Sequence, residues 1–138
     1  MQVNICHRLI KRMINNGEQF LRDYGNSKYG FTNSIIPKGL YATRVYAVGE
    51  IVKKLEGDLV LKPTRKSIHI GNGMHVIDKY GQYIKHSFEP NTRIESNNVI
   101  AIEVINPYDE ITFNYNDTEI NMAEPFELDG IKVCGKKL

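Results

Sequence analysis

From residue 39 onward the chain is a train of short runs rich in β-branched and aromatic residues, each closed by a turn former. The runs cover 40–46, 51–55, 59–61, 67–70, 75–77, 92–95, 99–104 and 111–115, and Gly49, Gly57, Pro63, Gly71, Gly73, Asn97-Asn98 and Pro107 punctuate them. Segments this short read as strands, since a helix needs three turns or so to hold together. The spacing therefore predicts a mainly β domain: a small sandwich, a barrel or a β-clip.

Residues 4–24 have a different period. Ile5, Leu9, Ile10, Met13, Ile14, Phe20, Leu21 and Tyr24 recur at helical spacing with Arg8, Lys11 and Arg12 between them, which predicts an N-terminal helical segment. Asn15-Asn16-Gly17 is expected to divide it into two short helices. Its apolar stripe suits docking on the chain's own core, and would equally suit a homodimer. Tyr24 to Gly30 reads as a connector, and residues 122–138 read as an irregular tail.

A chain of 138 residues is long enough to bury one core. No apolar run is of membrane-spanning length, so no membrane partner is expected. Cys6 and Cys134 lie near opposite ends and read as free thiols of a reducing compartment, the cytoplasm or the interior of a host cell. Residues 1–77 carry 12 Lys/Arg against 5 Asp/Glu, whereas 78–129 carry 3 against 11. An acidic half of this kind attracts a cationic ligand such as a lysine-rich peptide, or else simply keeps solvated loops soluble. The basic half lacks the interleaved aromatic surface that nucleic-acid binding uses.

Two segments inside the acidic half stand out. Lys85-His86-Ser87-Phe88-Glu89-Pro90-Asn91 is a polar stretch that Pro90 stops from continuing as strand or helix. Asp109-Glu110-Ile111-Thr112-Phe113-Asn114-Tyr115 is an alternating run entered from the turn at Asn106-Pro107. The ordinary meaning of Phe113 and Tyr115 is a strand burying alternate aromatics, and that of His86 a hydrogen-bonded core histidine.

Together these segments resemble the NHSxxPN and ExxxFxY motifs of SET-domain protein-lysine N-methyltransferases, in the small single-domain form found in bacteria and viruses. The likeness extends over about 35–135. Pro37-Lys38-Gly39-Leu40-Tyr41-Ala42-Thr43-Arg44 is similar to the family's GxGLxAxR, and Gly49-Glu50-Ile51-Val52 to its GExI stretch. The resemblance implies a β-clip of short strands with a pseudoknot-like C-terminal crossing. It divides the chain into an extension at 1–30, a SET domain at 31–118 and a short post-SET-like tail at 119–138.

It also implies S-adenosylmethionine as cofactor and a lysine-containing protein or peptide as substrate. Tyr115 falls on the catalytic tyrosine. Lys38, Gly39, Leu40, Lys85, His86 and Phe126 fall on the cofactor side, with Met122 near Phe126, and Phe113 and Tyr83 on the substrate channel. Where the family has Asn, Arg and Cys, this chain has Lys85, Gln82 and Phe88. With Cys134 the one cysteine of the tail, no metal is expected, because a single thiolate does not build a four-coordinate zinc site. A SET-like module that binds peptide or partner protein without catalysis is the alternative.

Overall fold

The computed structural model describes residues 13–14, 18–23 and 38–136. Strand β1 (Met13–Ile14) pairs antiparallel with β2 (Gln19–Asp23), and β2 pairs antiparallel with β3 (Lys38–Ala42). The helical expectation for 4–24 therefore fails where it can be compared, the rest of it lying outside the described residues. The reason lies in the register. All five residues of β2 face all five of β3, and Phe20 stacks on its partner Tyr41 with ring centroids 5.5 Å apart. Cross-strand aromatic packing of this kind outweighs helical spacing. Asn16-Gly17 is as strong a hairpin signal as a helix stop.

β4 (Ile51–Lys54), β10 (Asn98–Ala101) and β9 (Thr92–Glu95) form a second sheet in that order. β5 (Gly57–Val60), β7 (Met74–Asp78) and β6 (Ile68–Gly71) form a third. Leu40, Tyr46, Val52, Leu55, Val76, Ile84, Val99, Ile105, Ile111 and Phe113 fill one core between them. Burial of such side chains is the main favourable term in folding, about 1.5–3 kcal/mol each. The mainly β expectation holds, with most strands within two residues of their predicted bounds.

Two elements bring the site together. β8 (Lys85–His86) lies parallel to β11 (Thr112–Phe113), with Lys85 opposite Thr112 and His86 opposite Phe113. Lys85-His86 is thus a two-residue strand inside a segment read as neither strand nor helix. Asn91 laces the same two segments: Nδ2 donates to the Glu110 carbonyl at 2.7 Å, and Oδ1 accepts from the Thr112 amide at 2.9 Å. Upstream, the Asp78 carboxylate accepts from the amides of Glu56, Tyr80 and Gly81 and pairs with buried Lys53 at 3.4 Å. That fixes the 3-10 turn Gly81–Tyr83 and delivers Ile84 and Lys85 to the site.

The tail is ordered. β12 (Phe126–Leu128) and β13 (Ile131–Val133) form an antiparallel hairpin, contrary to the irregular tail expected. Asp129-Gly130, both at positive φ of 53° and 77°, makes the turn. This is the conformation that Asp-Gly favours in two-residue hairpins.

Candidate functional site

Tyr115 is not the end of a strand but the first residue of a single helical turn, α1 (Tyr115–Thr118). Asn114 is its N-cap, accepting from the Asn116 amide at 2.9 Å. The cap turns the chain sharply after Phe113 and sets the Phe113 and Tyr115 rings side by side, centroids 4.8 Å apart. The Tyr115 hydroxyl donates to the Ile84 carbonyl at 2.5 Å.

His86 is 2% exposed. Its Nδ1 accepts from the Tyr115 amide at 3.1 Å, which assigns the proton of the neutral ring to Nε2. Burial pushes its pKa below the usual imidazole range, so the ring is neutral at pH 7. The rings of Phe88, Tyr115 and Phe126 meet it edge-on at 4.3, 5.3 and 6.0 Å. Nε2 has no hydrogen-bond partner among the described residues. His86 positions the Tyr115 backbone; it is not poised as a base.

His86, Phe113 and Tyr115 share the wall of a cavity of about 520 Å³ with Lys38, Tyr83, Lys85, Met122 and Phe126. That volume is typical of small-molecule sites. Eight residues of the expected site and its rim therefore meet in one place. Gly39 and Leu40 do not. Leu40 is fully buried and its side chain belongs to the core, and Gly39 lies beside it on β3 without reaching the cavity. In a strand, successive residues face opposite ways, so Lys38 at the strand's start reaches the rim while Leu40 packs inward.

The structure adds residues that sequence reasoning passed over. Thr64, Arg65 and Lys66 line the cavity from a turn tied by hydrogen bonds between Thr64 and Ser67. Asn116 anchors the tail: Oδ1 accepts from the Cys134 and Gly135 amides at 3.1 and 2.9 Å, and Nδ2 donates to the Lys132 carbonyl at 3.1 Å. Gly135 sits so close to the chain that a Cβ there would fall 2.7 Å from the Glu119 carbonyl oxygen. No motif marks Asn116 or residues 64–66; only the Ser/Thr spacing at 64 and 67 hints at a turn.

Lys85 is half-buried, and burial together with the nearby Arg65 charge pushes its amine down to about 8. Among the described residues no three His, Cys, Asp or Glu side chains gather to hold a metal ion. No helix of the described residues is long and apolar enough to cross a membrane.

No family profile and no curated protein matches the sequence. Solved structures do match. Polycomb Repressive Complex 2 of Chaetomium thermophilum, in an autoinhibited conformation and bound to S-adenosylmethionine, aligns with a TM-score of 0.57 at 18% identity over 86% of this chain and 20% of that one. A humanized mutant of the same complex bound to an inhibitor aligns with a TM-score of 0.55 at 18% identity, over 86% and 19%. The chain thus spans about a fifth of the length of the chains it matches. At this identity the likeness is one of fold: the chain is a mainly β, SET-like domain.

Proposed function

We propose that this chain is an S-adenosylmethionine-dependent protein-lysine N-methyltransferase. The observation that carries the reading is the convergence of Tyr115, Phe113 and His86, from segments far apart in the chain, on one cavity roofed by the tail hairpin. The residues fit the cofactor: the cavity is of ligand size, it offers an aromatic wall, and the buried Nε2–H of His86 lacks a protein partner among the described residues. The structural likeness to a complex bound to S-adenosylmethionine supports the same reading.

Bound S-adenosylmethionine supplies an activated methyl group on a sulfonium. The protein's task is alignment. Because the Tyr115 hydroxyl commits its hydrogen to Ile84, its oxygen lone pairs remain as acceptors. An N–H of a neutral lysine amine donated to that oxygen turns the nitrogen lone pair toward the methyl carbon. Phe113 and Tyr83 form the aromatic channel for the lysine stem, and Phe126 closes the site from the tail.

The second reading, a SET-like module that binds peptide without catalysis, draws on Lys85, a cation where the family's asparagine would stand. Titration with S-adenosylhomocysteine, followed by incubation with radiolabelled cofactor and a panel of lysine peptides, separates the two. Heat on titration and label transferred to lysine support the enzyme; peptide binding with neither supports the module.

A further inference from the structure

The cavity is unevenly charged. Four cations line it, Lys38, Arg65, Lys66 and Lys85, against two acids, Glu124 and Glu127. Glu124 stands 3.9 Å from Arg65 with both side chains more than half exposed, and an ion pair that open is weak. Arg65 and Lys66 are not on a loose loop. Their turn is closed by Ser67 Oγ accepting from the Thr64 amide at 2.8 Å and by Thr64 Oγ1 accepting from the Lys66 amide at 3.2 Å. Lys85 reaches the same cavity from β8, near enough to Arg65 that the like charge lowers the pKa of its amine.

Two cations held together at a half-buried wall repel each other and lose solvation, and a carboxylate between them relieves both penalties. We propose that Lys85, with Arg65 beside it, is the carboxylate-recognition site of this cavity and binds the amino-acid carboxylate of S-adenosylmethionine. This rests on the cofactor reading above and adds its specificity: the pocket selects adenosyl ligands that carry a carboxylate. The sulfonium carries the opposite charge, so an amine placed beside it is repelled. The carboxylate end, separated from the sulfur by the methylene chain, is where a cation is favourable. Arg65 offers a planar fork and Lys85 a point charge, a combination that suits a carboxylate.

The test is calorimetric titration of wild type, Lys85→Met, Lys85→Arg and Arg65→Gln with S-adenosylmethionine and with its decarboxylated analogue. Wild type is expected to prefer the carboxylate-bearing ligand about 10- to 100-fold, the size of a charge-assisted contact. Lys85→Met should erase most of that preference, Lys85→Arg should retain it, and Arg65→Gln should reduce it in part. Ligand-free thermal unfolding checks that each variant folds, and Arg65→Gln carries the test if Lys85→Met does not.

An unchanged preference in folded Lys85→Met, or equal binding of both ligands by wild type, overturns the carboxylate site while leaving the cofactor reading intact. Binding of neither ligand by wild type overturns both. A gain of methyl mass on Lys85 itself, on incubation with cofactor alone, also overturns the proposal, because it puts the amine at the methyl group.

Discussion

Tyr115 and Ile84 are joined by a hydrogen bond of 2.5 Å from phenol to backbone carbonyl, across the crossing of two segments 31 positions apart. Ile84 immediately precedes β8, so the bond ties the phenol directly to the strand that carries Lys85 and His86. Tyr115→Phe removes the acceptor that orients the substrate amine and little else. We expect methyl transfer to fall by about 100-fold, the scale of losing alignment at a reacting centre. Stability should drop by about 1 kcal/mol for the lost bond. Cofactor affinity should change little. Steady-state kinetics and calorimetry on the same preparation check it; a variant with undiminished turnover removes Tyr115 from the chemistry.

Asn91 makes the second test, of the crossing itself. Its amide satisfies one backbone carbonyl and one backbone N–H of the other segment, at 2.7 and 2.9 Å, and the residue is 9% exposed. Asn91→Ala leaves both groups buried without that partner. The expected loss is about 2–4 kcal/mol. Asn91→Asp at pH 7 can still accept from Thr112 but sets a carboxylate against the Glu110 carbonyl, so it too should destabilise. Urea unfolding midpoints read both; a change within about 0.5 kcal/mol for Asn91→Ala would show that the lacing is incidental.

How much of this was legible beforehand depends on how local the information is. Thr92–Glu95 was readable because its β-branched alternation and its flanking turns lie within a few residues. The convergence of 85–91 with 110–115 was legible only through the motif resemblance, since nothing in either segment states that Lys85 faces Thr112. Phe20 shows the opposite case. Its helical spacing was real, but its place is set by Tyr41, which no local pattern reveals. Leu40 sat in a motif and turned out to be core. Arg65 and Lys66 looked like part of a missing insert, and their role at the cavity emerges only when the turn folds beside β8. The tail hairpin was missed although Asp129-Gly130 announces it.

Asn116 is expected to hold the tail over the site. Three backbone groups, of Lys132, Cys134 and Gly135, depend on its one side chain. Asn116→Ala should leave the three sheets intact and loosen the hairpin that carries Phe126. Hydrogen exchange of 126–133 should speed up by at least tenfold, given about 1.4 kcal/mol or more lost locally. Cofactor affinity should weaken with it, while exchange in β9 and β10 should stay as in wild type. Uniform acceleration everywhere would instead mark Asn116 as a general stability residue.

Glu119 supplies a pH signature. It is 6% exposed, its carboxylate accepts from the His69 amide at 3.0 Å, and burial raises its pKa from 4.5 to about 7. A carboxyl whose folded pKa lies above its unfolded value binds its proton more tightly in the folded chain. Its contribution to stability is therefore present below about pH 4.5, is lost as pH rises toward 7, and is flat above that. Glu119→Gln keeps an acceptor for His69 and cannot ionise. It should match wild type at pH 4.5 and exceed it at pH 8 by roughly 1–3 kcal/mol. Glu110, raised to about 7 by burial as well, gives the same sign, so the variant should retain part of the slope. Denaturant unfolding at several pH values between those limits decides the matter: parallel curves for Glu119→Gln and wild type would mean that Glu119 ionises in the folded chain without cost.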